Sequence, residues 1–471
     1  MSDQDLARIS ATQLAAMIAD RQVSPVEVAD RLLERIEKLD SKLNSFSFFD
    51  AEHVRAEARA AEAAVQRGDE LGPLHGVPVA IKDGIPVKGM PSSSGARLFA
   101  DRISPGDAPL TARLRKAGAI ALGKTTMPEY GHKAVTEGGL HGIARNPHNL
   151  DYTPGGSTGG GAAAVAASFA PLSMGGDGGG SIRIPASFSG IYGLKPSVGR
   201  VPYWPTYHGL EQLSCPGPLA YNVTDLALAM DIISGPSALD INTLPAPDVS
   251  YVKAIERVDV SGMRLAWTPD LGVATIDPGV VAVAEEAAAH LETAGCVIER
   301  LDRAFPDVTQ DWYDLFCVGF AAPRRDDFDA TRHLMDETLI PLVEHGLTLT
   351  GTDIFRAGNA RRSTLAETAV VFERYDALLM PTVAIPPLPI GRHAIDPANE
   401  YDGGLKEWGQ LTFTFNMTGQ PGASVPAGFV GDGLPVGLQI VGRRYDDATV
   451  LRLARAYEAV VGEPVRPAAF A

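Results

Sequence analysis

The chain has 471 residues, 45% of them hydrophobic and 21% charged, a composition ordinary for a globular enzyme with a large core. Its formal net charge of −16 argues against nucleic acid or an anionic membrane as a main partner, since both are bound through clustered Lys and Arg. Three widely spaced cysteines, Cys215, Cys296 and Cys317, lack metal-ligand spacing, which fits a reducing cytoplasm and no disulfide framework.

The N-terminal MSDQDLARIS carries no basic-then-apolar signal, and no apolar run approaches membrane-spanning length, so a cytoplasmic protein is expected. Length alone averages to about three domains. No Gly, Ser or Pro run is long enough to be an interdomain linker, however, and a single domain over 1–471 is the expectation. Ser10 and Ser24 open two amphipathic helices; the second starts with the capping box Ser24-Pro25-Val26-Glu27 and carries an apolar stripe of Val28, Leu32, Ile36 and Leu39. Another helix runs from Ala51 to its stop at Gly68.

Residues 76–84, GVPVAIKDG, place Lys82 at the end of an apolar strand, where desolvation lowers an amine's pKa toward that of a usable base. Taken alone, the pattern favours a strand-end lysine paired with Asp83. Helix, glycine and strand follow over 110–123, and residues 118–125, GAIALGKT, match the phosphate-loop pattern GxxxxGK[ST]. That loop needs a strand before it and a helix after its lysine, and here the helix comes first, so nucleotide binding is not expected.

The stretch from Pro154 to Pro196 is the chain's chemical centre. It sets Ser157 and Ser181 in glycine, with an alanine-rich segment between them. Gly178, Gly179 and Gly180 lead into Ser181, and successive N–H groups in such a turn converge on an anion, the layout of an oxyanion hole beside a nucleophile. A flexible loop is the alternative, but such loops are rarely followed by Ile-Arg-Ile-Pro and an apolar run. Residues 155–159, GGSTG, also fit the nucleophile elbow G-x-S-x-G, and 159–164 a loose dinucleotide fingerprint; both require a preceding strand, and residues 145–154, crowded with Asn and Pro, make a poor one. Tyr203, Trp204, Tyr207 and His208 either close one wall of a cleft or pack under a loop.

Farther on, Thr224 or Asp225 caps a helix ending at Gly235-Pro236. After a Pro-rich linker, a strand through Leu265, a helix opened by Asp277-Pro278 and closed by Gly295, and a strand over 296–298 supply a central sheet. Ser250-Tyr-Val-Lys253 fits S-x-x-K without a supporting KTG. The ten histidines show no metal-ligand spacing, and no metal is implied.

Together these segments resemble the amidase signature family of serine hydrolases, whose motif runs GGSSGG, an alanine-rich helix, then GTDxGGSIRxPAxxxGxxGLKPTxGR. Here 155–160 read GGSTGG, 176–186 read GDGGGSIRIPA and 193–200 read GLKPSVGR. The similarity extends through GVPVAIKD and AGAIALGKTTMPEYG upstream and PTVAIPP, FNMTGQPGASVP and GLPVGLQIVG downstream, nearly the whole chain. It implies one large α/β domain, a central mixed β-sheet covered by helices on both faces, with a signature core at about 70–235 and a variable, substrate-shaping region at about 300–370.

By that resemblance Ser181 is the acylated nucleophile, Lys82 the general base, and Ser157 the bridging serine on a cis peptide bond. The N–H groups of Gly178, Gly179, Gly180 and Ser181 hold the oxyanion, Gly131 lines the cleft, and Asp177 and Arg183 brace the loop. The chain departs from the pattern at Thr158, which keeps a hydroxyl, at Gly161, and at Gly176, where the usual threonine's hydrogen-bonding group is lost. The implied function is hydrolysis of a C–N bond in a small amide, with anilide, carbamate or ester bonds open to the same chemistry, no cofactor or metal, a small-molecule substrate as partner, and a monomer or homodimer. Two alternatives remain: the glutaminase subunit of a tRNA-dependent amidotransferase and a non-catalytic scaffold. Retention of Lys82, Ser157 and Ser181 speaks against the scaffold. The glutaminase needs an acidic residue that aligns with Gly409, close before Asn416-Met-Thr-Gly419.

Overall fold

The computed structural model describes residues 6–206 and 212–470. Eleven strands form one sheet in the order Phe46–Phe48, Ile120–Thr125, Pro78–Lys82, Leu172–Asp177, Cys215–Ala220, Tyr192–Lys195, Gly422–Val430, Leu434–Gly442, Ala377–Pro381, Arg264–Trp267, Val297–Arg300. Pro78–Lys82 runs parallel to both its neighbours, and Arg264–Trp267 is likewise flanked by two parallel partners. Antiparallel pairs join these two wings through the centre. Parallel strands need covered faces and long crossovers, which explains the continuous apolar runs in PVAIK and ALLMP.

Helices cover both faces, as the alternation of strand side chains records. Leu379 and Ile440 enter one core with the helices Pro278–Thr293 and Asp447–Val461. Leu378, Met380 and Val441, one residue out of phase, enter another with Gly351–Arg374 and Gln410–Thr418. The fold is therefore a single α/β domain with a mixed central sheet, as expected.

The local signals behave as their chemistry demands. Ser10 and Ser24 each close a full capping box, Gly68 ends its helix in the left-handed conformation at φ 76, and Asp277 accepts from the N–H groups of Gly279 and Val280. One cap is displaced: the helix Val223–Ile233 is capped by Asn222, whose side chain accepts from the N–H of Asp225, not by Thr224 or Asp225. Asp225 instead turns its carboxylate back onto the N–H groups of Ala11 and Thr12, tying the helix Ala11–Ala19 to the core.

The alanine-rich segment becomes the fully buried helix Gly159–Ala166, wedged beneath the sheet next to Pro78–Lys82 and Leu172–Asp177. Its small residues are a packing requirement. A Cβ on Gly160 would stand 2.5 Å from the carbonyl oxygen of Ser45 and 2.6 Å from the backbone N and O of Thr126. Backbone cannot retreat as a side-chain tip can, so Gly160→Ala should lower stability by about 1–3 kcal/mol in denaturant unfolding. An unchanged midpoint would show that the helix has room to shift.

Candidate active site

Lys82 ends its strand at 5% exposure and lines a cleft. Asp83 does not pair with it. That carboxylate accepts from the Ser93 N–H, the Ser93 hydroxyl at 2.6 Å and the Gly95 N–H at 2.9 Å, and Lys82 has no salt bridge among the described residues. Lys82 Nζ instead lies 2.7 Å from Ser157 Oγ and 3.1 Å from Thr158 Oγ1. Burial lowers its pKa to about 7, against the opposing pull of the Asp177 carboxylate.

The Gly156–Ser157 peptide is cis. No strand immediately precedes it, so the elbow and dinucleotide patterns lack their context. Gly131, at φ 73, faces Ser157 so closely that a Cβ there would meet Ser157 Oγ at 2.7 Å. Thr158 donates its hydroxyl hydrogen to the Gly176 carbonyl, at 3.4 Å, so its oxygen is free to accept from Lys82. The backbone of Gly176 thus serves the position where a threonine side chain was missed. A Cβ at 176 would meet nothing within 4 Å, and glycine there leaves the cleft wider. Gly161 makes room for Ser173, whose Oγ would lie 2.5 Å from a Cβ at 161.

Ser181 follows the glycine turn, and its carbonyl accepts from the Thr158 N–H at 3.1 Å, which joins the two serine loops. Its hydroxyl makes no hydrogen bond among the described residues and opens into the cleft with Lys82 and Ser157. The turn is held from outside: Trp312 Nε1 donates to the Gly178 carbonyl at 3.0 Å, and Thr412 Oγ1 to that of Gly179 at 2.7 Å. These bonds fix which way each peptide faces. One expectation needs correction, because the Gly180 N–H donates to Asp177 Oδ1 at 2.8 Å and Gly180 lines no part of the cleft. The other three N–H groups of the turn, those of Gly178, Gly179 and Ser181, have no protein acceptor among the described residues.

Asp177 and Arg183 sit fully buried behind the turn in a two-pronged pair, Nε and Nη2 each 2.9 Å from a carboxylate oxygen. Asp177 also accepts from the Ile182 N–H and from Asn416 Nδ2, and Arg183 reaches Gln439 Oε1 at 2.7 Å and Asn416 Oδ1 at 2.6 Å. Despite burial, the Arg183 guanidinium holds the Asp177 carboxyl well below the usual carboxylate range. Asn416, Gln439 and Thr412 were not anticipated, nor were the aromatic walls contributed by Trp312, Trp408 and Phe413. Tyr203 lines the cleft, while Tyr207 and His208 lie outside the described residues. Among the described residues no group of three His, Cys, Asp or Glu is placed to hold a metal, and no helix is long and apolar enough to cross a membrane.

An α/β fold whose glycine-walled cleft gathers a buried lysine and two serines is that of a hydrolase. The family model described as Amidase matches residues 27–451. An acylamidase of Rhodococcus erythropolis is 38% identical over 98% of this chain and 97% of its own. A glutamyl-tRNA(Gln) amidotransferase subunit of Symbiobacterium thermophilum is 36% identical over 96% of both. A bacterial aryl acylamidase of the amidase signature enzymes superposes with a TM-score of 0.87 at 28% identity, covering 96% of each chain. The chain belongs to the amidase signature family and is an amidohydrolase.

Removing one member of a buried ion pair leaves the other charge without a partner, at a cost of about 3–5 kcal/mol. Asp177→Asn should therefore destabilise the protein by that amount in denaturant unfolding, and a loss under about 1 kcal/mol would contradict the assignment of Arg183 as a buried strut.

Proposed function

We propose that this amidohydrolase cleaves the C–N bond of a small amide through an acyl-enzyme on Ser181, with Lys82 as base and Ser157 as the relay between them. The observation that carries the reading is the 2.7 Å contact between Lys82 Nζ and Ser157 Oγ in a cleft that Ser181 also lines, its hydroxyl without a hydrogen bond among the described residues. A serine hydroxyl needs a base to become a useful nucleophile, and a lysine with a pKa of about 7 is neutral in half its copies at neutral pH.

Ser181 Oγ attacks the amide carbonyl as its proton passes to Ser157, and the Ser157 proton passes to Lys82. Negative charge gathers on the carbonyl oxygen, where the N–H groups of Gly178, Gly179 and Ser181 donate to it without having to reorganise. The C–N bond then breaks, and the proton held on Lys82 returns through Ser157 to the departing nitrogen. Water repeats the sequence on the acyl-enzyme and releases the acid. Anilide, carbamate and ester bonds enter the same cycle.

The likeness to the amidotransferase subunit raises the glutaminase reading, and Gly409 weighs against it. A Cβ at 409 would stand 2.1 Å from Cζ of Phe413, so the ring occupies the place where an acidic side chain would have to grow. A glutamine ammonium then has no counter-charge there. Co-purification with a partner subunit, or glutaminase activity dependent on charged tRNA, would revive it.

A base must be neutral to accept a proton, so kcat/KM should rise with pH through about 7 and level off above it. A flat profile between acid and alkaline pH would exclude Lys82 from the rate. Lys82→Ala and Ser157→Ala should each lower kcat by about 10²- to 10⁴-fold, the range for losing general-base assistance. A loss of less than about tenfold for Lys82→Ala would mean that another base is at work.

A further inference from the structure

Each peptide unit of the glycine turn carries one acceptor and one donor that point to opposite sides, because the bond is planar and, through this turn, trans. Holding a carbonyl from one side therefore aims the N–H of the next residue to the other. The Asp177 carbonyl accepts from Asn416 Nδ2 at 3.2 Å, that of Gly178 from Trp312 Nε1 at 3.0 Å, that of Gly179 from Thr412 Oγ1 at 2.7 Å, and that of Gly180 from the Ile184 N–H at 2.7 Å. The N–H groups aimed in this way are those of Gly178, Gly179, Gly180 and Ser181 in turn, and Gly180 spends its own on Asp177. We infer that Trp312 is a positioning residue for the reaction: its indole N–H, by holding the Gly178 carbonyl, aims the Gly179 N–H at the developing oxyanion. This rests on the reading of Ser181 as nucleophile, with the turn's N–H groups as donors to its adduct. It brings the region at about 300–370, expected to shape the substrate site, into the chemistry itself.

Packing fixes the direction of the indole N–H. Trp312 lies in the first turn of the helix Thr309–Ala321 and is 1% exposed. Its ring stacks on Phe413 with centroids 3.6 Å apart and planes 7° apart, and on Phe316 at 4.4 Å and 22°. A Cβ on Gly179 would stand 2.4 Å from Trp312 Cζ2, so glycine at 179 is what lets the ring lie against the turn. An indole nitrogen donates and never accepts, so it holds the carbonyl side of the peptide between Gly178 and Gly179.

The other holds differ in what they aim or in how they are shared. Thr412 acts on a peptide whose N–H is already committed to Asp177, and Ile184 acts through local backbone. Asn416 aims the Gly178 N–H, but it also bonds the Asp177 and Arg183 side chains, so its loss would strike the buried pair as well. Trp312 makes one bond, and the Gly178 carbonyl has no other donor among the described residues. Glycine on both sides leaves that peptide free to rotate once the indole N–H is gone. A turned peptide presents the Gly178 carbonyl, an acceptor, where the oxyanion needs a donor.

Replacing Trp312 by 3-benzothienylalanine, which puts sulfur in place of the N–H and keeps the ring's shape, tests the bond without opening a cavity, and Trp312→Phe repeats the test with a coded residue. Two reactions are followed in each variant: hydrolysis of p-nitrophenyl acetate, and labelling by a fluorophosphonate, in which Ser181 Oγ bonds to phosphorus, fluoride leaves, and the serine proton passes through Ser157 to Lys82. Both build negative charge on an oxygen facing the turn. Per titrated active site, kcat and the labelling rate should each fall about tenfold to a hundredfold, less than the loss of a donor outright, with KM within about threefold of wild type. The pH midpoint of kcat/KM should not move, because Lys82 and Ser157 are untouched. Either rate within about twofold of wild type, an effect confined to KM, a shifted pH midpoint, or a loss in both variants that circular dichroism accounts for by unfolding would overturn the inference while leaving Ser181 as nucleophile. No adduct on Ser181 in the wild-type protein would overturn the nucleophile reading and this inference with it.

Discussion

Much of the site hangs on the buried pair between Asp177 and Arg183. One carboxylate ends the strand Leu172–Asp177, gathers the N–H groups of Gly180 and Ile182, and so folds the glycine turn around itself. The guanidinium that neutralises it reaches Gln439 on Leu434–Gly442 and Asn416 on Gln410–Thr418, elements more than 230 residues away in the chain. A turn of three glycines has little stiffness of its own. Its rigidity is imported, from Asp177 within and from Trp312 and Thr412, which hold the carbonyls of Gly178 and Gly179 from without. The peptide orientations that follow leave three N–H groups without acceptors among the described residues and commit the fourth.

The second constraint is a buried amine, and two other buried lysines, Lys124 and Lys195, can be compared with it. Lys124 donates to the carbonyls of Asp83 and Ile85, and Lys195 to those of Pro196 and Gln420. A carbonyl only accepts, so these partners favour a lysine that keeps its hydrogens, and both residues act as struts. Lys82 faces two hydroxyls, and a hydroxyl can donate to a neutral amine as well as accept from a charged one. Thr158 spends its own hydrogen on Gly176, which leaves Ser157 as the hydroxyl able to pass a proton to Lys82. Contact with a hydroxyl free to donate, in place of carbonyls that only accept, is what separates this lysine from the other two.

Local chemistry was legible in the sequence and distant assembly was not. The helix start at Ser10, the capping box at Ser24, the stop at Gly68 and the Asp277-Pro278 opening depend on neighbours within a few residues, and each formed. Lys124 matched a phosphate-loop pattern by letters alone, and its place inside the strand Ile120–Thr125 shows why context outranks the match. The aromatic walls stayed hidden because Trp312 and Phe316 share one helix while Trp408 and Phe413 come from two others far along the chain. A tryptophan and a phenylalanine four apart on an apolar helix mark a packed face, but nothing local says which face meets Ser181. The same holds for Gly180, whose N–H could be assigned only once the direction of the Asp177 side chain was known.

The account turns on which serine becomes acylated. A fluorophosphonate adduct followed by tryptic digestion gives one peptide, residues 146–183, that contains both serines, so fragment ions must place the label. The account predicts the adduct on Ser181, with labelling abolished in Ser181→Ala and slowed but present in Ser157→Ala. An adduct on Ser157 that persists in Ser181→Ala would contradict it.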